Sequence, residues 1–174
     1  MRKSHYKDRL GIMVETNDRR LPVGIQSFEK IRKEGYLYVD KTDIIWQLAN
    51  RNKTYHYLSR PRRFGKSVLV DTLEAYFLGK KELFEGLKIM QLETEWVKRP
   101  VIRLDMSRAG AEPETLRSYL NNIFRQYEEE YSLVPDPTDS LADRFNAIIV
   151  GAYEQTGQQV AILIDEYDSP LQHS

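Results

Sequence analysis

The chain has no cysteine, which excludes a disulfide framework, a thiolate nucleophile and Cys-ligated zinc. Its three histidines, His5, His56 and His173, lie too far apart to form a local ligand pair, and no H-E-x-x-H occurs. The longest apolar run, Val160 to Ile164, is five residues, against the roughly 20 needed to cross a bilayer. The charged start, Met1 to Arg9, has no apolar stretch behind it of the kind a secretory leader carries, so the cytoplasm is the expected location. Net charge is also missing: Lys plus Arg and Asp plus Glu stand at 26 each, so no overall basic field points to nucleic acid. Internal repeats, low-complexity tracts and long linkers are absent too. Binding therefore has to be argued from local sites.

What is present is a globular profile. At 174 residues, 41% apolar and 30% charged, the chain is one ordinary domain that can bury a sizeable core. Its organising stretch is Ser59-Arg-Pro-Arg-Arg-Phe-Gly-Lys-Ser67. Thr54 to Ser59 reads as a strand, and Leu69, Leu73, Tyr76 and Phe77 recur at helical spacing before Gly79. Strand, loop and helix in that order predict a P-loop (Walker A), with Arg60, Pro61, Arg62, Arg63, Phe64, Gly65, Lys66 and Ser67 around the phosphates of a nucleotide. Gly65 lets backbone N–H groups approach the anion, Lys66 reaches the β and γ phosphates, and Ser67 ligates Mg²⁺. The pattern G-x-x-x-x-G-K-[ST] asks for glycine at position 60, where this chain has Arg60.

A second motif, Val160-Ala-Ile-Leu-Ile-Asp-Glu-Tyr-Asp168, runs from apolar residues into three carboxylates. It reads as a Walker B strand, buried on both faces and ending where α/β sheets place their ligands. Asp165 is expected to hold Mg²⁺ through water and Glu166 to polarise the attacking water. The two motifs complement one another in charge. Arg60, Arg62, Arg63 and Lys66 suit a triphosphate, whereas Asp165, Glu166 and Asp168 repel each other in a dry cleft unless a cation joins them. ATP with Mg²⁺ answers both needs.

Elsewhere, residues 1–20 read as a loose arm or edge strand, and 21–174 as the P-loop domain. Ser27 is expected to cap a short helix containing Phe28 and Ile31, and Asp40 a second with Ile44, Ile45 and Leu48 buried. Tyr36 to Thr42 lies either beside a nucleotide base or on the core. Val101 to Met106 reads as a strand with Ile102, Leu104 and Met106 on one face; Arg103 and Asp105, on the other, either face the site or form a half-exposed surface. Pro113 opens a helix whose Leu116, Tyr119, Leu120, Ile123, Phe124, Tyr127 and Tyr131 share a face, with the tyrosines at the core edge. Asp139 is expected to cap a helix burying Leu141, Phe145, Ile148, Ile149, Ala152 and Tyr153, which Gly157 ends. The whole predicts an α/β fold, a P-loop NTPase with a mainly parallel sheet flanked by helices.

At Leu21-Pro-Val-Gly-Ile-Gln-Ser-Phe-Glu-Lys-Ile-Arg32, Gly35-Tyr-Leu-Tyr-Val-Asp-Lys-Thr42, Ser59 to Ser67 and Ile164-Asp-Glu-Tyr-Asp168, the chain resembles the AAA-ATPase-like family of bacterial P-loop proteins. Arg60 in place of glycine belongs to that family's own pattern. The resemblance implies ATP binding and hydrolysis by Lys66, Ser67, Asp165 and Glu166. It also implies a further C-terminal domain similar to PD-(D/E)xK nucleases, through which a role with nucleic acid would enter. No lysine in this chain follows an acidic residue by two positions, so the nuclease triplet is absent.

Three readings compete: a Mg²⁺-dependent ATPase, a nucleotide-binding switch or scaffold without turnover, and a helicase-type motor suggested by Asp165-Glu-Tyr-Asp168. The last lacks a basic, aromatic groove that would track a strand. P-loop ATPases of this kind insert a strand between the P-loop and Walker B strands, and it follows Walker B in sequence. Only six residues follow Asp168. The expectation is therefore a truncated part of a longer ATPase, weak or inactive alone and prone to associate through open sheet edges.

Overall fold

The computed structural model describes residues 4–7, 13–16, 20–51, 56, 65–110 and 112–167. Within the stretch expected as an arm or edge strand, β1 (Ser4–Lys7) and β2 (Met13–Thr16) pair antiparallel, with Ser4 opposite Thr16. The expected strand Thr54 to Ser59 falls outside the described residues apart from His56.

Helix α1 (Phe28–Lys33) starts at Ser27, whose Oγ accepts from Lys30 N–H as expected of an N-cap. Helix α2 (Thr42–Asn50) begins one residue later than a cap at Asp40 would place it. Asp40 instead braces two segments: Oδ1 accepts from the Thr42 N–H and hydroxyl, and Oδ2 accepts from Lys88 N–H at 2.8 Å. Ile45 and Thr42 are buried, but Ile44 is exposed, because successive helical residues are about 100° apart and the side bearing Thr42, Ile45 and Trp46 meets the core. Tyr38 packs edge-on to Phe28 at 5.1 Å, which places this residue of the lead-in segment on the core.

Helix α3 (Lys66–Phe77) packs its Leu69, Leu73 and Tyr76 against Phe28, Ile45, Phe84 and Ile89. These residues, with short 3₁₀ turns at Lys81–Phe84 and Lys88–Gln91 and the edge of Trp96, form the first core. Strand β3 (Val101–Asp105) alternates as expected, with Ile102 and Leu104 buried, and the chain turns into a 3₁₀ segment at Met106.

Helices α4 (Pro113–Glu130) and α5 (Leu141–Thr156) pack on each other and on Ile102 and Leu104 to make the second core. Ser140, not Asp139, caps α5, in a capping box with Asp143. Asp139 is occupied one turn earlier, accepting from Asp136 N–H at 2.8 Å. Tyr153 lies on the outer side, 54% exposed. Gly157 ends α5 in the left-handed conformation at φ 64°.

Strand β4 (Ala161–Asp165) pairs parallel with β3, Val101 opposite Ala161 and Asp105 opposite Asp165. Mixed helix and strand around a parallel pair is compatible with the expected α/β class. Burial on both faces of β4 is not found: Leu163 and Asp165 are buried, while Ile162 and Ile164 are 40% and 49% exposed. Among the described residues the helices cover one face of this strand fully and leave the other open.

Candidate functional site

Gly65 holds φ at 75°, a left-handed conformation, and has no side chain to cap α3. A Cβ there would meet nothing within 4 Å, so glycine is needed for the dihedral and not for space. Gly65 gives α3 no side-chain cap, and the N-terminal end of a helix, with its dipole and first-turn N–H groups, suits an anion. Lys66 and Ser67 begin this turn. Asp71 and Glu74 follow Ser67 at four and seven residues, which puts all three on one side of the helix.

That side meets the ends of β3 and β4. The Lys66 ammonium lies 3.9 Å from Glu166 Oε2, with the lysine side chain 11% exposed. Glu166 adopts φ 50°, a cost for a residue with a Cβ, and its N–H donates to Asp165 Oδ1 at 2.9 Å. Asp165 is 6% exposed. The turn thus aims Glu166 at Lys66 while Asp165 stays at the strand end.

Across from them, Arg103 Nη1 donates to Asp71 Oδ1 at 2.9 Å and to Glu74, and its Nη2 stands 4.0 Å from Asp165 Oδ2. The two α3 carboxylates hold the guanidinium firmly protonated against the opposing effect of burial. Asp71 Oδ2 accepts from Phe28 N–H at 2.6 Å, which fastens α1 to the same corner. Asp105 turns back on its own segment, accepting from the Ser107 N–H and hydroxyl.

These groups surround a cleft of about 440 Å³, lined by Gln26, Ser27, Ser67, Asp71, Arg103, Asp105, Ser107, Asp165 and Glu166. Four carboxylates and one guanidinium line it, so the described wall is acidic and suits a cation or a cation-bearing ligand. Of the residues expected at the site, Gly65, Lys66, Ser67, Asp165 and Glu166 come together here. Arg60, Pro61, Arg62, Arg63, Phe64 and Asp168 lie outside the described residues. Gln26, Asp71, Glu74 and Ser107 are not among the residues expected at the site, and Ser27 is expected only as a helix cap. For Asp71 and Glu74 the signal was present in their helical spacing from Ser67; Gln26 and Ser27 arrive through tertiary packing alone.

Residues 22–174 match the model of the family described as Predicted AAA-ATPase. The chain belongs to that family. A similar protein is the "Uncharacterized protein in vnfD 5'region" of Azotobacter chroococcum mcd 1, 36% identical over 156 residues, which are 88% of this chain and 30% of the relative. The chain thus spans under a third of that relative's length. No solved structure matches. For a predicted AAA-ATPase, nucleotide and Mg²⁺ are the ligands that membership implies, and the cleft can be tested against them. Its oxygen donors are serine hydroxyls and carboxylates, hard oxygens of the kind Mg²⁺ prefers. Among the described residues no group of three or more His, Cys, Asp or Glu could hold a metal ion. No helix among the described residues is long and apolar enough to cross a membrane.

Proposed function

We propose that this chain is a Mg²⁺-dependent ATP-binding module that hydrolyses ATP within its whole protein. The observation that carries the reading is the convergence of Lys66 and Glu166, 3.9 Å apart, at the start of α3 beside Ser67 and Asp165. Lys66 and the first-turn N–H groups of α3 would neutralise and orient the terminal phosphates. Arg60 to Phe64 would complete the loop around them. Ser67 and Asp165 would hold Mg²⁺, which when bound withdraws charge from the phosphate oxygens. Glu166 would orient and polarise a water molecule for attack on the γ phosphate. The Lys66 ammonium and the Glu166 carboxylate face one another at 3.9 Å, and a nucleotide phosphate entering between them would separate the pair.

The test is calorimetric titration of the purified chain with ATP, with and without Mg²⁺, followed by phosphate release. Lys66→Ala should weaken ATP binding about tenfold or more, since a charge-assisted hydrogen bond contributes roughly 1.5–3 kcal/mol. Glu166→Gln should bind like the parent and lose whatever turnover the parent has. Parent-like ATP affinity in folded Lys66→Ala would refute the assignment. Binding by the parent without any turnover would favour a nucleotide switch.

A further inference from the structure

The cleft carries a cation of its own. Arg103 projects from the β3 face that also bears Asp105, and its guanidinium is shared among three carboxylates: Asp71 and Glu74 by hydrogen bonds, and Asp165 across 4.0 Å. That last distance is too long for a hydrogen bond and short enough for a strong charge interaction. Asp165 is 6% exposed, so solvent and salt screen it poorly. A carboxylate in that position needs a positive charge close by. Besides Lys66, which faces Glu166, Arg103 is the cation that the described wall of the cleft supplies.

We propose that Arg103 is the resident counter-ion of Asp165, and that the division of its charge between α3 and Asp165 sets how strongly nucleotide binding depends on Mg²⁺. The inference rests on the ATP and Mg²⁺ reading above. Arg103 is a positioning residue in this scheme and does not react. Its planar fork suits the task, because one guanidinium can address carboxylates on two elements at once.

The charge argument gives opposite signs for two neighbouring substitutions. Arg103→Gln leaves Asp165 opposite Asp71 and Glu74 with no guanidinium, so a divalent cation gains more by entering and Mg²⁺ dependence rises. Glu74→Gln removes one of the two groups that draw Arg103 toward α3. The guanidinium then serves Asp165 more fully, and Mg²⁺ dependence falls. Arg103→Lys keeps the charge and stays near the parent. A tie that was merely structural would lower stability in every case and leave the metal dependence alone.

The experiment measures ATP dissociation constants for the whole chain without and with Mg²⁺, takes their ratio, and records thermal unfolding of the same samples. Arg103→Gln should raise the ratio by about fivefold or more, and Glu74→Gln should lower it by a similar factor. Equal ratios, or two shifts of the same sign, would overturn the proposal whatever happens to the melting temperatures. If Arg103→Gln does not fold, the Glu74→Gln and Arg103→Lys pair decides the matter through the same ratio. A parent that binds ATP equally with and without Mg²⁺ would instead refute the metal reading on which the inference stands, which separates the two failures.

Discussion

The acid Glu128 is 5% exposed, in the last turn of α4, where an isolated buried carboxylate would be costly. Arg144 of α5 meets it with Nε and Nη2 at 2.6 and 2.8 Å and reaches Asn121 with Nη1. A fork of this kind is two-sided: breaking it strands a buried charge, while replacing both partners costs little. Arg144→Met should therefore destabilise by about 3–5 kcal/mol in urea unfolding, and adding Glu128→Leu should recover most of the loss. Equal destabilisation by the single and double variants would show the pair to be worth no more than its packing. Glu29 presents the exposed counterpart. Hydrogen bonds from Lys33 and then Lys80 lower its pKa from an ordinary 4.5 to about 2. The folded value lies below the unfolded one, so the contribution to stability is present above about pH 4.5 and is lost as pH falls toward 2. Glu29→Gln should remove that slope, and salt should weaken it in the parent because the pair is solvated. A parent and variant that lose stability in parallel between pH 5 and pH 2, within about the precision of urea midpoints, would count against it.

Among the described residues β3 has a strand neighbour, β4, on one side, and α4 side chains meet its other edge. Arg103 N–H donates to the Tyr127 hydroxyl and Asp105 N–H to the Tyr119 hydroxyl, both at 2.8 Å. Two α4 tyrosines thus take up ladder donors that another strand would use, and they protect an edge that would otherwise be open to pairing. Burial raises the pKa of both phenols, which keeps them neutral and able to accept. Tyr127→Phe removes only the hydroxyl, leaving the Arg103 N–H without its acceptor. The expected cost is about 1–3 kcal/mol, checked by urea unfolding, with faster amide exchange at Arg103 as the local sign. Unchanged exchange at that amide would mean that water replaces the hydroxyl. At this scale the sequence was legible in part. The 3.6-residue recurrence from Leu116 to Tyr131 announced α4, and the alternation of Ile102 and Leu104 announced β3. What the tyrosine hydroxyls do depends on how α4 lies against the edge of β3, which no periodicity records. The start of α5 was misplaced by one residue because Asp139 and Ser140 are both good caps, and only the reciprocal bond from Asp143 decides between them. Likewise, Ile162 and Ile164 belong to a run that looks buried on both faces, yet the run cannot say which neighbours cover it.

The described residues form two apolar cores, one around Phe28 and Phe84 and the other around Ile102 and Phe124. Helix α3 belongs to the first through Leu69 and Leu73, and it meets the second across the parallel pair with its polar side. The charged corner of Asp71, Arg103 and Asp165 is therefore both the wall of the cleft and a seam between the cores. Charged seams contribute less to stability than apolar ones, and this network is one of the links between the cores among the described residues. A ligand that engages Lys66 and Ser67 on one side and Asp165 and Glu166 on the other spans that seam. Its binding energy then acts on both cores at once. ATP with Mg²⁺ at about 100 times its dissociation constant should add about 2.7 kcal/mol to stability. For a chain of this size that corresponds to roughly 5–10 °C in melting temperature. Amide exchange should slow together in α3 around Thr72 and Ala75 and in β4 around Leu163, because neither side can open without releasing the ligand. Slowing confined to α3, with β4 unchanged, would show that the nucleotide rests on the helix start alone and that Asp165 and Glu166 take no part in holding it.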